Sequence, residues 1–192
     1  MRLNCLSFCV LASAVLTGCV SPQRKQGERL SPSLARSANE YTIHCMDDLV
    51  RMNRCDLENL YRHAEVGCPP KGVTDGRAIM NPGTAFTVPA SQVTRLIWQG
   101  KVFTDDNMMV NRVLGLRAIH ARVYIGESWL DGKSSLILDY ADTSKLYSDV
   151  RDEVREIAPG LYLGIAYKRT AAGPQLSKFF TLDSRKQVLP RP

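Results

Sequence analysis

The densest run of charge in the chain is the segment 149–156, DVRDEVRE, in which acidic and basic side chains alternate. Successive side chains of an extended strand point to opposite faces, so this segment divides into two charged faces. A face that lines a cavity would hold the polar head of a ligand, or shift the pKa of a carboxyl group into a useful range. A solvated or salt-bridged sheet face is the structural alternative. The two faces carry Asp152 with Glu156, and Arg151 with Glu153 and Arg155.

Two tryptophan motifs supply further candidates for ligand contact. Trp98 begins the sequence WQGKVF and Trp129 lies in SWLDGK, and each is expected to pack in the core or at the mouth of a barrel. Lys101 is placed to pair with an acidic ligand, and a surface lysine is the alternative. Three strand residues complete the ligand-binding candidates: Asp139, Tyr140 and Tyr162.

The chain carries none of the short motifs GxSxG, HExxH, GxGxxG or the P-loop. We therefore assign no catalytic residue and no cofactor. The three histidines are scattered, so no metal site is predicted. The basic residues lack interleaved aromatic side chains, which argues against a nucleic acid as partner. An enzyme acting on small lipids stays open as an alternative, with these candidate acids or bases: Asp139, Asp152, Glu153 and Glu156.

Residues 1–18 have the plan of a secretory signal, with Arg2 at the start, an apolar stretch and small residues before Cys19. The final four residues, LTGC, resemble the lipobox of bacterial lipoprotein precursors. The resemblance implies a diacylglycerol on the Cys19 sulfur, cleavage before that residue, and a membrane-anchored protein of the bacterial cell envelope. Because Val20 rather than an aspartate follows the cysteine, the resemblance also implies the outer membrane, facing the periplasm.

The part of the chain after the signal divides into a tether and one domain. Residues 19–37 are polar, basic and rich in proline and serine, which indicates a flexible lipidated tether. Residues 38–192 are expected to form a single domain, because 192 residues with 44% hydrophobic side chains can bury one core. The net charge of +6 favours contact with anionic surfaces but identifies no partner.

Three cysteines of this domain are candidates for one intramolecular disulfide, since the predicted compartment is oxidising. They are Cys45, Cys55 and Cys68. A bond between the first two requires a break in the helix near Asn53, because a continuous helix would hold them about 15 Å apart.

Hydrophobic periodicity predicts an α+β fold: an N-terminal helix followed by a strongly curved antiparallel sheet or small β-barrel. The capping-box spacing at 37–40 and apolar steps of three and four predict a helix, or two with a break near Asn53, over 38–65. Residues 66–90 read mainly as a connection, and the pattern becomes strand-like beyond residue 91. A short helical turn is expected within 142–150. The clearest predicted strands are 116–128, 134–140, 151–157, 161–168 and 177–183.

Several of these segments together resemble an uncharacterised family of small bacterial proteins. Its members share a W-x-GK-x-F start, an LDY strand and an RDExRE-x-x-PG-x-YLG hairpin, and the likeness covers roughly residues 73–183. The resemblance implies a common fold and brings no reaction. The WxGKxF opening before antiparallel strands is also similar to lipocalin and other calycin barrels, which bind hydrophobic small molecules.

Three functions follow from these features. The first is an envelope lipoprotein whose barrel binds a small amphipathic ligand such as a lipid. The second is a structural or assembly lipoprotein that binds an envelope protein through its helix or through the basic tail at Arg185, Lys186 and Arg191. The third is the lipid enzyme named above.

Overall fold

The computed structural model describes residues 43–185. The predicted signal, the lipidation site Cys19, the tether, the capping box at 37–40 and the tail residues Lys186 and Arg191 lie outside this range. Within 43–185, no helix has both the length and the apolar character needed to cross a membrane.

Three helices and eight strands make up the described chain. The helices are α1 (Met46–Val50), α2 (Arg54–His63) and α3 (Thr87–Ile97). The strands are β1 (Gly72–Ile79), β2 (Trp98–Phe103), β3 (Met108–Val113), β4 (Leu116–Glu127), β5 (Ser134–Asp139), β6 (Val150–Ala158), β7 (Leu161–Thr170) and β8 (Gly173–Asp183).

The strands form a closed barrel in which each pairs antiparallel with its neighbours in sequence. The last strand returns to the first through a register that runs from Asp75 opposite Asp183 to Ile79 opposite Phe179. Closure satisfies the backbone groups that an open sheet would leave at its edges. The fold is therefore α+β as predicted, with an architecture consistent with a lipocalin-like barrel.

Strand β7 shows why the barrel has two cores. Its odd-numbered residues from Leu161 to Tyr167 point outward under α1 and α2, while Tyr162, Gly164 and Ala166 point into the lumen, so both faces are buried. The outer core joins β1, β7 and β8 to the helices through Leu49, Leu57, Tyr61, Ile79, Leu163 and Phe179. The lumen is filled by side chains that include Phe103, Met109, Leu136, Leu138, Val154, Phe180 and Leu182.

The predicted break near Asn53 is confirmed, because α1 ends at Val50 and the Asn53 side chain accepts a hydrogen bond from the Asp56 backbone to cap α2. Residues 43–45 precede the first helix, which begins at Met46, so the predicted helix does not cover them, and its predicted start at residue 38 lies outside the described residues. The five clearest strands are confirmed. The segment 142–150 forms no helix but makes isolated hydrogen-bonded turns, in which the N–H of Val150 donates to the carbonyl of Tyr147 at 2.9 Å, in keeping with the predicted short helical turn.

Two elements contradict the predicted connection at 66–90 and the strand-like pattern from 91. Strand β1 lies inside the supposed connection, and it was missed because its buried positions include the polar Thr74 and Arg77. Helix α3 was missed because its exposed side carries the apolar residues, which inverts the usual helical pattern.

Cys45 and Cys68 are free thiols, so the predicted disulfide does not form through either of them. Cys45 caps α1, and its Sγ lies 3.4 Å from a carboxylate oxygen of Asp48.

Two glycines allow β1 and β2 to approach each other closely. Gly100 has a φ of +122°, and a Cβ there would lie 2.3 Å from the carbonyl oxygen of Thr74. A Cβ at Gly76 would lie 2.6 Å from the Cα of Gly100 and 2.7 Å from the Trp98 ring. Gly76 therefore makes room for the Trp98 ring, and Gly100 of the WQGKVF motif lets the backbone of β2 lie close to that of β1.

We predict that Gly100→Ala lowers the free energy of unfolding by roughly 2–5 kcal/mol, since it adds a backbone collision to an unfavourable φ. Urea unfolding measures the loss. Gly132→Ala is the matched control, because Gly132 also has a positive φ of +72° but has no heavy atom within 4 Å of the added Cβ. Equal losses in the two variants would contradict the collision.

Candidate functional site

A buried lysine lies inside the barrel just below the end that carries α3. Lys101 points into the lumen from β2, and only 2% of its surface is exposed. Its ammonium donates three hydrogen bonds, to Asn111 Oδ1 at 2.9 Å, Tyr140 Oη at 2.8 Å and Asp152 Oδ2 at 2.9 Å. Tyr140 in turn donates to the same Asp152 oxygen at 3.0 Å. We call Lys101, Asn111, Tyr140 and Asp152 the lysine cluster.

Asn111 is held in place by an irregularity between β3 and β4. The register shifts there, and Ile119 takes a φ of +65°, which is an uncommon conformation for a β-branched residue. The Asn111 amide nitrogen donates to the Ile119 carbonyl at 3.0 Å, so its oxygen faces Lys101. The indole N–H of Trp98 donates to this same oxygen at 2.9 Å. Backbone strain of this kind is concentrated at functional sites.

Aromatic rings enclose the ammonium. Its nitrogen lies 5.5 Å from the ring centres of Trp98 and Tyr140 and 5.2 Å from that of Phe180. Burial lowers the pKa of Lys101, and the neighbouring Asp152 opposes that shift. Burial also raises the pKa of Tyr140 well above its usual value, with the Asp152 charge acting in the same direction. The tyrosine is therefore a neutral hydrogen-bond donor and acceptor at all ordinary pH values.

The charged strand predicted from the sequence is β6, and its two faces divide as expected. Asp152 points into the lumen, but the face that carries Arg151, Glu153 and Arg155 points outward. That outer face is covered by α2 and by the β4–β5 connection, so its charges are buried as well. The arginines predicted to share a cavity with the carboxylates therefore do not enter the barrel.

Arg155 joins three parts of the chain on this outer face. Its guanidinium makes a bidentate contact with Asp131 at 2.8 and 2.7 Å and donates to the carbonyl oxygen of Tyr61 at 2.9 Å. It also lies 4.5 Å from the ring centre of Tyr61. Hydrogen bonds from Arg155 hold the pKa of Asp131 below its usual value, although burial opposes them. These contacts fasten α2 and the β4–β5 connection to β6.

Glu153 and Arg151 also serve internal contacts. Glu153 accepts hydrogen bonds from the hydroxyl of Ser128 and from the backbone N–H of Trp129 at 2.8 Å. Burial raises the pKa of Glu153. The Arg151 guanidinium stacks 4.1 Å from the ring centre of Trp129. Its Nε is buried and makes no hydrogen bond within the described residues.

The other candidates lie apart from the lysine cluster. Asp139 is on the outer surface, where Arg169 contacts both its oxygens at 2.9 and 2.8 Å. Glu156 accepts hydrogen bonds from the backbone N–H groups of Cys68 and Gly160 at 3.0 and 2.8 Å. Tyr162 donates to the Cys68 carbonyl at 2.9 Å, and burial raises its pKa to about 12.

The structure thus brings together four of the predicted ligand-binding residues, namely Trp98, Lys101, Tyr140 and Asp152. Sequence reasoning missed Asn111, Ile119 and Asp131. No pattern marks Ile119, since its role depends on a backbone irregularity. Asp131 had a signal in the Asp-Gly pair of SWLDGK, which was interpreted only as a turn.

Two surface grooves lie outside the lumen. One, of about 510 Å³, is lined by α1 and the start of α2 and includes Asp48, Met52 and Asn53. The other, of about 590 Å³, lies between the end of α2 and the β6–β7 turn and includes His63, Glu65 and Glu156. Among residues 43–185, no group of three or more acidic, histidine or cysteine side chains is placed to hold a metal ion.

Comparison with known proteins gives one structural likeness. No family model matches the chain. No curated protein matches it. A crystal structure of a protein from Thermomonospora curvata is similar, with 17% sequence identity, coverage of 71% of this chain and 90% of that chain, and a TM-score of 0.47.

We predict that Lys101→Met lowers the free energy of unfolding by about 3–5 kcal/mol, because Asp152 would keep a buried charge without its counter-ion. The double variant Lys101→Met/Asp152→Leu should recover most of that loss, since it removes both charges. Urea unfolding of the two variants measures the difference. A double variant no more stable than the single one would show that the ion pair itself is indispensable.

We predict that acid destabilises the protein partly through Asp131. Its pKa is lowered in the folded state, so its contribution to stability is complete above the unfolded value of 3.8 and is lost as the pH falls through the lower folded value. Thermal unfolding between pH 7 and pH 2 should therefore show a smaller acid-induced fall in Tm for Asp131→Asn than for the wild type. Parallel curves for the two proteins would assign the acid sensitivity to other carboxylates.

Proposed function

We propose that this protein is a membrane-anchored lipoprotein of the bacterial cell envelope whose barrel binds a small amphipathic ligand at the α3 end. The observation that carries the proposal is the convergence of polar side chains from β3, from β6 and from the end of β5 on the Lys101 ammonium of β2, inside a wall of aromatic rings. Ligand sites typically combine an apolar lining with a few convergent polar groups. The interior of an eight-stranded barrel is either filled by side chains or holds one small ligand.

The ligand site is the opening above the lysine cluster. Deeper in the barrel the lumen is filled by apolar side chains, whereas the inward-facing Trp98, Ile119 and Val150 at this opening are only partly buried. An apolar group can pack against these three residues. The lumen below them then serves as a rigid floor.

The polar end of the ligand is expected to be a hydrogen-bond acceptor. Asn111 Oδ1 receives hydrogen bonds from both the Lys101 ammonium and the Trp98 indole. A ligand oxygen that takes the place of this amide oxygen would receive both donors, one of them charged. Carboxylate, phosphate and ester oxygens have this character.

The anchor in this proposal depends on the sequence alone. The apolar stretch, the small residues and Cys19 in LTGC support lipidation. Several acyl chains on one cysteine would hold the protein at the membrane stably, where amphipathic molecules are concentrated.

The proposal is tested on residues 20–192, which include every described element. Native mass spectrometry after incubation with envelope lipid extract should show an added mass that disappears on denaturation. The double variant Lys101→Met/Asp152→Leu should lose the added mass. An apo mass for the wild-type domain would overturn the proposal and favour a packed scaffold for an envelope protein.

Tryptophan fluorescence gives an independent measurement, because the chain has only two tryptophans. In Trp129→Phe the remaining Trp98 should change its emission when a fatty acid or lysophospholipid is added. In Trp98→Phe the outer Trp129 should not respond. Equal responses of the two variants would place binding elsewhere.

A further inference from the structure

Helix α3 packs with its polar side against the barrel and exposes its apolar side. Thr87 and Ser91 are buried, and Ser91 accepts a hydrogen bond from the Arg77 guanidinium at 3.1 Å. Val93, Leu96 and Ile97 point to solvent, and Leu96 is 73% exposed. Surface helices of soluble proteins normally show the reverse arrangement. The exposed side of α3 is therefore a surface that lacks a partner within residues 43–185.

The β3–β4 hairpin extends this surface. Leu114 and Leu116 are 68% and 70% exposed. The backbone N–H of Leu114 donates to the carbonyl of Ile97 at 2.8 Å, which fixes the hairpin against the end of α3. We call the five side chains the apolar rim: Val93, Leu96, Ile97, Leu114 and Leu116.

The hairpin turn places a leucine where the backbone disfavours it. Leu114 and Gly115 have φ values of +51° and +79°, which are those of a two-residue turn that normally prefers asparagine before glycine. A leucine there is both strained and solvent-exposed, so neither packing nor turn geometry accounts for it. Contact of the Leu114 side chain with an apolar surface outside the described chain would account for a leucine at this position.

The charge around the rim indicates an anionic occupant. Arg95 and Arg117 are exposed beside it and form no ion pair within residues 43–185. Between residues 76 and 126 the only acidic side chains are Asp105 and Asp106. Both lie in the β2–β3 turn, at the opposite end of the barrel from α3. The rim therefore combines aliphatic side chains with two exposed arginines, and the carboxylate of Asp75 on β1 is engaged 3.5 Å from Arg112, the residue opposite Arg117.

We propose that the apolar rim inserts into the interface of an anionic lipid bilayer, with Arg95 and Arg117 against the headgroups. Interfacial binding of proteins depends on this combination of buried apolar area and basic charge. The inference goes beyond the ligand site, because the five rim side chains are 54–73% exposed, whereas Lys101 is only 2% exposed inside the barrel. It also needs no lipid on Cys19.

The test uses residues 20–192 and sedimentation with vesicles of phosphatidylethanolamine and phosphatidylglycerol, compared with phosphatidylcholine alone. The wild type should bind the anionic vesicles, and its affinity should fall as salt is raised. Leu96→Ser/Leu114→Asn should bind at least tenfold more weakly. Arg95→Gln/Arg117→Gln should lose most of the preference for anionic vesicles.

Two controls keep folding separate from binding. Ile125→Ser removes an exposed aliphatic side chain near the opposite end of β4 and should bind vesicles as the wild type does. Leu114→Asn alone should weaken binding while its Tm is equal to or above that of the wild type, because asparagine favours this turn. Failure of the wild type to bind anionic vesicles would overturn the proposal, as would unchanged binding by the rim variants. A protein cross-linked specifically through the rim, without vesicle binding, would identify a protein occupant instead.

Because the rim variants leave Lys101 and Asp152 intact, vesicle binding and ligand binding fail independently. An apo mass for the wild-type domain together with normal sedimentation would overturn only the ligand proposal.

Discussion

The need to neutralise one ammonium inside an apolar lumen governs the α3 end of this barrel. Lys101 on β2 has each of its three donors matched by an acceptor, and these come from β3, from the end of β5 and from β6. A buried charge is tolerated only with such complete pairing. The positions of four strands are thereby tied to one nitrogen atom. The irregularity at Ile119 and the close approach of Gly76 and Gly100 belong to the same arrangement, since they position Asn111 and admit the Trp98 ring.

Strand β6 connects this inner site to the outside of the barrel. Its inward Asp152 pairs with Lys101, while its outward Arg155 holds α2 and the β4–β5 connection. The two roles follow because successive side chains of one strand point to opposite faces, so the charged segment of β6 contacts both the lumen and the outer surface of the barrel. Of its outward charges, Arg155 holds α2, while Glu153 and Arg151 contact the β4–β5 connection. The lumen receives the carboxylate of Asp152 beside the ammonium of Lys101. Aromatic rings surround that pair, so a ligand that enters from the α3 end would contact both apolar rings and charged groups.

Much of the fold was available from the sequence because several elements follow simple periodicities. Strands β4 to β8 alternate clearly or lie between strong turn signals, and Asn53 marks the helix break with a capping side chain. Strand β1 gave no such signal, because it faces a lysine, a tryptophan and α3, and its own polar residues are satisfied by these neighbours. Helix α3 inverts the pattern that sequence analysis relies on. The lysine cluster was predicted only in part: Trp98, Lys101, Tyr140 and Asp152 were named, but nothing in a one-dimensional pattern shows that they meet.

The order of the strands has a consequence for how the chain folds. Every strand pairs with its neighbours in sequence except where β8 meets β1, so the barrel is a series of local hairpins with one long-range seam. Local pairings form quickly, whereas the seam must overcome the entropy of closing nearly the whole domain into a loop. Ile79 and Phe179, which face each other across the seam, both belong to the outer core with α1 and α2. The helices α1 and α2 thus pack over the β1–β8 pairing, which is expected to form last. Loss of this helix packing is expected to open the barrel first between β1 and β8.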